Sequence, residues 1–348
     1  MNEAKLMEFV GKAVGDVGAV LAGSLVVLGD RLGFYRALAQ AGPMTSEELA
    51  VATGTRERLV REWLAEQAAT GYLDHLGEGR FELPEEHAIA LTHETSPAFV
   101  TGAFEIALGS VQATDRIADA MRHGGGLAWS DQDAHVHSGC ERFFKPGYVN
   151  FLTSTWIPAL GGVQERLEQG TSVADIGCGH GASTVHMAGA YPRSRFLGID
   201  PHEGSLEVAR KAAADAGVAD RARFERATAK ELGGSHGLIA FFDCLHDLGD
   251  PVGALRAARE HLEDDGTVLL VEPNAGDTTE SNLNPVGAAY YGFSTLLCTP
   301  NALAQEGERV LGTQAGQARL TEVANEAGFG RVRRVAETPF NMVLELRP

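Results

Sequence analysis

The feature that most constrains this chain is a glycine-spaced loop between a buried strand and a helix. The sequence VADIGCGHGAST occupies residues 173–184, and Gly177, Gly179 and Gly181 lie at alternate positions within it. Glycine permits a tight turn and a close approach of the backbone to a ligand. A strand that turns in this way into a helix is typical of an open α/β sheet, which binds ligands beyond the carboxyl ends of its strands.

The region after residue 170 repeats this alternation of strand and helix. Short β-rich runs are predicted at 172–178, 195–200, 222–228, 237–245 and 266–273, with amphipathic helices between them, and two further runs form a hairpin that turns at Pro339. This pattern predicts a Rossmann-like α/β domain with a seven-stranded, doubly wound sheet. The segment 274–317 interrupts the alternation after the fifth strand, so we expect it to cap the acceptor site.

Helical periodicity dominates before residue 170. Helices are predicted at 31–40, after a capping box of Thr45 and Glu48, and at 55–73, where residues 55–70 would be the recognition helix. A hairpin is predicted over 72–83. This order is that of a winged helix-turn-helix. We therefore predict a winged-helix dimerisation domain over 1–110, a helical linker and active-site lid over 111–169, and the α/β domain over 170–348.

The charge of the chain bears on its partners. The net charge is −18, and residues 1–110 carry 8 Lys and Arg against 16 Asp and Glu, a net −8. Because phosphate contacts provide much of the affinity for nucleic acid, this balance makes DNA an unfavourable partner. A winged-helix transcriptional regulator that senses a small molecule stays an alternative, and homodimerisation is the favoured reading.

Neither a membrane span nor a signal peptide is predicted at the amino terminus. Its first residues mix charges of both signs, and the apolar stretch from Val17 to Leu28 is too short to span a bilayer. The four cysteines are scattered without a CxxC pair, which is typical of reduced thiols. We therefore expect a cytoplasmic protein that does not contact a membrane.

The glycine loop alone fits two kinds of cofactor. Gly177, Gly179 and Ala182 also match the fingerprint of nicotinamide dinucleotides, and Asp200, at the end of the next strand, suits ribose hydroxyls in either case. Charge distinguishes between the two kinds of cofactor, because a carboxylate such as Asp175 beside the loop would repel the pyrophosphate of a dinucleotide. It favours S-adenosylmethionine, whose net charge is about +1.

The region from Gly170 to Pro348 resembles the class I S-adenosylmethionine-dependent methyltransferases. The run from Asp175 to Gly181 matches their first motif, and Ile199-Asp200 the second. The whole chain resembles bacterial, especially actinobacterial, methyltransferases with an amino-terminal winged helix, in which FFKPGY, FFDCLHD, VEP, NLNPVG and LLCTPN recur. The resemblance implies these cofactor-binding residues: Asp175, Gly177, Gly179, Gly181, Asp200, Pro201, Thr228, Ala229, Phe242 and Asp243.

His246 and Glu272 are the predicted catalytic residues. His246-Asp247 resembles the His-Asp pair of plant-type small-molecule O-methyltransferases, in which the histidine is the base, and Glu272 lies where that family places an orienting carboxylate. The tryptophan usual after this pair is Leu248 here. The predicted reaction is methylation of a hydroxyl of an aromatic or hydrophobic metabolite, with N- or C-methylation as alternatives, and with His246 as a mere pocket residue also left open.

Aromatic side chains are the candidates for acceptor binding. Phe143, Tyr148 and Trp156 recur at roughly helical spacing, which fits either core packing or a cover over the site, and Tyr290 and Asn301 lie in the predicted cap. His135 and His137 alternate near Cys140, but two histidines without a defined acidic partner are a weak metal motif. We therefore predict no metal site.

Overall fold

A computed structural model describes residues 1–305 and 309–348 of the chain. The chain forms two compact units, of which the first comprises residues 1–108 and 138–146 and the second residues 109–137 and 147–348. Each unit has a hydrophobic core of its own.

The first unit is mainly helical and carries a small hairpin. Its elements are α1 (Glu3–Arg31), α2 (Phe34–Ala41), α3 (Ser46–Thr53), α4 (Glu57–Ala69), β1 (Asp74–Gly77), β2 (Arg80–Glu82), α5 (Glu85–Thr92), most of α6 (Thr101–Val111) and part of α8 (Ala134–Gly147). The Thr45 hydroxyl accepts from the amide of Glu48, whose carboxylate accepts from the Thr45 amide, so the predicted capping box is confirmed. The predicted order of helices followed by a hairpin is confirmed as well.

The helix predicted at 31–40 is observed as α2, but its predicted start was wrong. Helix α1 runs without interruption to Arg31, and α2 begins only at Phe34, because Gly33 adopts a left-handed conformation with φ of 73°. The apolar stretch at 17–28 is thus part of a 29-residue helix, which by length and composition alone could cross a membrane. Core helices of soluble proteins and signal sequences share these properties, so the length and composition of α1 do not establish a membrane span.

Helix α1 packs closely on α4 near its carboxyl end. A Cβ atom at Gly29 would lie 2.4 Å from the ring of Trp63, so only glycine fits there. The indole of Trp63 donates a hydrogen bond to the carbonyl of Leu25 and meets the rings of Phe34 and Tyr35 edge-on at 4.8 and 5.2 Å. These contacts fix the second half of α1 within the first unit.

The second unit is built on a seven-stranded sheet. Its strands are β3 (Ser172–Ile176), β4 (Arg195–Asp200), β5 (Ala222–Arg226), β6 (His236–Phe242), β7 (Leu262–Pro273), β8 (Arg331–Glu337) and β9 (Asn341–Arg347). Its helices include α7 (Thr114–His123), α9 (Val163–Gln169), α10 (Ala182–Ala190), α11 (Glu203–Asp215), α12 (Pro251–Glu260) and α15 (Gly316–Glu326). The order is β5-β4-β3-β6-β7-β9-β8, with β3 to β7 parallel and the final hairpin antiparallel. The predicted fold is confirmed.

The topology sets the place of a ligand site. After β3 the chain adds β4 and β5 on one side and then returns to place β6 on the other side of β3. This reversal opens a crevice beyond the carboxyl ends of β3 and β6, where open sheets bind ligands. The strands around it are buried on both faces, as the fully buried β6 shows.

Two further segments supply the surroundings of this crevice. Residues Tyr148–Trp156 form a π-helical stretch, a form frequent at functional sites. The predicted cap contains α13 (Pro285–Phe293), a π-helical turn (Ser294–Cys298) and α14 (Thr299–Leu303). Its residues 306–308 lie outside the described residues.

Candidate active site

The glycine loop has the backbone conformation that its sequence predicts. Gly177, Gly179 and Gly181 have φ values of 68°, 52° and 78°, in the left-handed region that glycine adopts without strain. A Cβ atom at Gly177 would lie 3.0 Å from the side chain of Cys244, which follows β6. The loop therefore lies against the neighbouring strand end, at the switch point of the sheet.

Asp175 lies beneath the loop. The hydroxyls of Ser183 and Thr184 donate to its Oδ2 at 2.6 and 2.5 Å, which ties the end of β3 to the start of α10. Burial raises the pKa of Asp175 to about 6, although the two hydroxyl donors oppose this effect. Its Oδ1 is buried and, within the part of the chain that the structure describes, has no hydrogen-bond partner.

Asp200 connects the loop to the end of β4. Its Oδ2 accepts from the amide of Gly179 at 3.0 Å and its Oδ1 from the amide of His202 at 2.8 Å. Burial raises the pKa of this carboxyl. Pro201 is exposed, and its carbonyl accepts from the Arg226 guanidinium at 3.1 Å.

The other predicted cofactor residues lie at two strand ends. Thr228 is exposed and caps a short 3-10 helix in which Ala229 is buried. Phe242 ends β6, and its ring meets that of Tyr148 at 5.2 Å. Asp243 follows with a φ of 51°, unusual for a residue with a side chain, and strain of this kind gathers at functional sites.

His246 and Glu272 form the hydrogen bond that their predicted roles as base and orienting carboxylate require. His246 lies in a short 3-10 turn after β6, and Glu272 lies near the end of β7, the next strand of the sheet. The Nδ1 of His246 is 2.6 Å from Oε2 of Glu272, whose Oε1 accepts from the amide of Leu245 at 2.9 Å. Both side chains are buried, so the imidazole has a fixed orientation.

Acidic groups surround this histidine. Burial by itself lowers the pKa of His246, but the nearby carboxylates of Glu272 and Asp247 outweigh it, and the pKa lies well above its ordinary value. Burial also raises the pKa of Asp243 and Asp247. A cluster of this composition attracts a cation and repels a pyrophosphate.

Sequence reasoning missed two partners of this cluster. Asn341, the first residue of β9, donates from Nδ2 to Asp243 at 2.7 Å. The Cys298 thiol of the cap contacts both His246 and Asp247, and burial raises its pKa to about 12. No sequence motif near either residue points to the site. Asn341 reaches the site through the pairing of β9 with β7, and Cys298 reaches it through the fold of the cap.

The predicted acceptor residues lie at different places. The Asn301 side chain donates to the carbonyl of Asp247 at 3.2 Å and accepts from the amide of Trp129 at 3.0 Å, and the Tyr290 hydroxyl donates to the Phe340 carbonyl at 3.0 Å. Both side chains thus have partners within the protein. Tyr148 and Trp156 are buried in the second unit with their rings 6.4 Å apart. Phe143 belongs to the first unit, where its ring meets that of Phe144.

The histidines near residue 135 have other neighbours. His135 bonds to the carboxylate of Asp133, and the ring of His137 stacks on that of His202 at 4.9 Å. His186 lies 3.3 Å from the hydroxyl of Thr153, which is consistent with helix packing.

The comparison with known protein families agrees with this site. Residues 167–328 match the family described as a methyltransferase domain, and residues 20–93 match the Rv2258c-like winged HTH domain. The chain thus joins a methyltransferase domain to a winged HTH domain. S-adenosylmethionine is the cofactor of this methyltransferase domain.

Relatives with curated descriptions match over limited lengths. A trans-aconitate 2-methyltransferase of Deinococcus radiodurans is 32% identical over 111 residues, which is 32% of this chain and 41% of that protein. The chain spans less than half the length of the curated relatives that it matches.

Solved structures match over the whole chain. The mitomycin 7-O-methyltransferase has a TM-score of 0.72 at 19% identity, covering all of both chains. Human N-acetylserotonin methyltransferase, solved with S-adenosylmethionine, has a TM-score of 0.69 at 16% identity, covering 97% of each chain. At such identities these likenesses establish the fold.

The residues of the crevice fit S-adenosylmethionine. The glycine loop has room for a ligand, since a Cβ atom at Gly179 would meet no other atom within 4 Å. Asp200 has carboxylate lone pairs for ribose hydroxyls, and acidic side chains gather beyond β6 and β7, where a bound cation would favour their ionised forms. Shape and charge thus agree with the match to a methyltransferase domain.

Proposed function

We propose that this chain transfers the methyl group of S-adenosylmethionine to a hydroxyl group of a small aromatic or hydrophobic acceptor, with His246 as the general base. The observation that carries the proposal is the buried His246–Glu272 hydrogen bond at the carboxyl ends of adjacent strands. Thiolates and unprotonated amines need no strong base, so an oriented imidazole favours a hydroxyl acceptor over S- or N-methylation.

The hydrogen bond assigns a role to each nitrogen of His246. With Nδ1–H donating to Glu272, the lone pair of Nε2 is directed away from that carboxylate and can accept the acceptor's proton. The proton moves from the hydroxyl oxygen to Nε2, and Glu272 stabilises the imidazolium that forms. When bound, S-adenosylmethionine supplies a methyl group activated by its sulfonium.

The carboxylates around His246 make its pKa sensitive to a charge that binds in the cleft. The carboxylates of Glu272 and Asp247 raise the pKa of His246, so the imidazole carries its proton further up the pH scale than an ordinary histidine. A cation bound nearby would lower this pKa and free Nε2 as a base. We therefore expect cofactor binding to be accompanied by the release of a proton.

Buried aromatic rings support an apolar acceptor. Tyr148 contacts Phe242 at the end of β6 and also Trp156, all within the second unit. Asn301 links the cap to the turn after His246 through the carbonyl of Asp247. We propose that these groups shape the acceptor pocket, with Tyr290 and Asn301 holding the cap in place.

The transcriptional alternative has less support from the structure. In α4, the predicted recognition helix, Arg61 pairs with Glu57 at 2.7 Å and Arg58 pairs with Glu62. These guanidinium groups are thus already paired with carboxylates of the same helix. A gel-shift assay with genomic fragments tests this alternative, and specific binding at physiological salt would favour it.

We further propose that the protein is a cytoplasmic homodimer that pairs through the first half of α1. Exposed apolar side chains there are spaced alternately three and four residues apart, namely Met7, Val10, Val14, Val17 and Leu21. This spacing is typical of a seam between two helices, whereas a membrane span would be apolar on all sides. Charged residues on the same half, such as Glu8, Lys12 and Asp16, disfavour lipid.

Light scattering tests the dimer. The protein should run as a dimer at micromolar concentration, and Val14→Glu with Val17→Glu should make it monomeric. Flotation with lipid vesicles should leave the protein in the unbound fraction. A monomeric wild-type protein, or one that floats with vesicles, would contradict this assembly.

Calorimetry and kinetics test the reaction. The protein should bind S-adenosylmethionine or its demethylated product at micromolar levels, and His246→Ala should abolish turnover while leaving cofactor affinity within a few-fold. An equal loss of cofactor affinity would make His246 a pocket residue. Binding of NADH without S-adenosylmethionine binding would overturn the cofactor assignment.

A further inference from the structure

A set of three different metal-ligating side chains meets beside the proposed base. His246, Asp247 and Cys298 each offer one ligand atom, and these atoms all lie within 4.8 Å of one another. Two of them follow β6, while Cys298 comes from the π-helical turn of the cap. The group is therefore assembled only when the cap folds over the sheet.

One of the three ligand separations already matches that of a tetrahedral metal site. Nε2 of His246 lies 3.5 Å from Oδ1 of Asp247. Metal–ligand bonds of about 2.0–2.3 Å place the ligands of a tetrahedral ion roughly 3.3–3.8 Å apart. The Asp247–His246 pair thus already has the separation of two zinc ligands.

The side chains also present the correct atoms. Nδ1 of His246 bonds to Glu272, so Nε2, which faces Asp247, is the nitrogen that remains to bind an ion. A histidine ligand held by a carboxylate at its other nitrogen is the usual partner of a protein-bound zinc ion. Oδ1 of Asp247 is buried and makes no hydrogen bond of normal geometry within the described ranges, 1–305 and 309–348. Asp247 instead contacts Nε2 of His246 and the Cys298 thiol, the groups that would share the ion with it.

We propose that His246, Asp247 and Cys298 bind a divalent cation of the zinc class, with Glu272 orienting the histidine and a fourth position open to the cleft. One nitrogen, one sulfur and one oxygen ligand favour Zn²⁺ or Co²⁺ over Mg²⁺ and Ca²⁺, which prefer oxygen. On binding, the Cys298 thiol releases its proton to solvent and coordinates as a thiolate.

The consequence rests on the proposed function of His246. A cation on Nε2 occupies the lone pair that would accept the proton of the hydroxyl, so metal binding and methyl transfer exclude each other. Micromolar Zn²⁺ should therefore inhibit turnover, and a chelator should restore it.

Cobalt absorption spectroscopy on the full chain tests the site without any assay of activity. We expect one equivalent of Co²⁺ to give a thiolate-to-cobalt charge-transfer band in the near ultraviolet. Cys298→Ser should remove the band, as should Asp247→Asn combined with His246→Gln, while Cys140→Ser, a change at a cysteine of the first unit, should leave it. Glu272→Gln should weaken Co²⁺ binding by about 10- to 100-fold.

The outcomes separate the two proposals. Absence of a charge-transfer band in the wild-type protein, or a band that survives Cys298→Ser in a variant that still binds the cofactor, would overturn the metal site. A band that depends on Cys298, without any effect of Co²⁺ on turnover, supports the metal site and instead refutes His246 as the base.

Discussion

Replacement of Glu272 by glutamine probes the catalytic proposal with little change in shape. The carboxylate accepts two hydrogen bonds, from Nδ1 of His246 at 2.6 Å and from the amide of Leu245 at 2.9 Å. A glutamine has a single side-chain oxygen and can satisfy only one of these two donors. If that oxygen faces Leu245, the NH₂ group faces Nδ1, and the proton of the imidazole moves to Nε2.

The size of the effect follows from this change of tautomer. With a proton on Nε2, His246 cannot act as a general base, whose contribution is typically 10²- to 10⁴-fold. We therefore expect Glu272→Gln to lower kcat by about 10²- to 10⁴-fold, or roughly 3–5.5 kcal/mol of activation free energy. The affinity for S-adenosylmethionine should stay within a few-fold, since Glu272 lies behind the histidine.

Glu345→Gln is the matched control. Glu345 is as buried as Glu272 and also accepts hydrogen bonds, but from Gly161, Arg333 and Arg347 on another part of the sheet. Its replacement should lower the free energy of unfolding and leave kcat nearly unchanged. The assay is steady-state methyl transfer at saturating cofactor, with calorimetry for cofactor affinity. If Glu272→Gln keeps kcat within about three-fold of the wild type, the orientation argument is refuted.

Three further predictions follow from the charges of the second unit. Because the carboxylates raise the pKa of His246, kcat/KM should fall as the pH drops through that pKa, with a midpoint above the ordinary value of 6.5 in a pH–rate profile, and a midpoint below 6.5 would contradict this. Asp200→Ala should weaken S-adenosylmethionine binding by about 10- to 100-fold in calorimetry, the cost of lost hydrogen bonds to a charged group, and unchanged binding would remove Asp200 from the site. Burial raises the pKa of Asp175 from 3.8 to about 6, so the folded state is favoured when this carboxyl is protonated. The free energy of unfolding should therefore fall by up to about 3 kcal/mol as the pH rises from 4 to 6. Denaturant titrations should show that Asp175→Asn removes this contribution to the pH dependence.

The local features of the chain were readable because each depends on a few neighbouring residues. The positive φ angles of Gly177, Gly179 and Gly181 follow from the absence of side chains. The capping box of Thr45 and Glu48 needs only two residues three positions apart. The helix predicted between the first two strands of the sheet is observed as α10, Ala182–Ala190, since a glycine precedes it and the apolar period continues through it.

Boundaries failed where packing outweighed the local signal. Helix α1 continues through the glycine-rich stretch before Arg31, although glycine lowers helix propensity. At Gly29 the missing side chain is what allows Trp63 to approach, so the glycine stabilises the packing while it weakens the isolated helix. Helix propensities summed along the sequence do not include this gain in packing energy.

The sequence by itself determined the fold class and the cofactor loop, since repeated strand–helix units and glycine spacing are local patterns. It also marked His246 and Glu272, because each follows or ends a predicted strand. Only the tertiary structure decided their partners. Asn341 reaches Asp243 through the antiparallel pairing of β9 with β7, and Cys298 reaches His246 because the cap returns across the strand ends. Such contacts join residues about 50 to 100 positions apart, and their energies depend on distances that only the packed sheet and cap define.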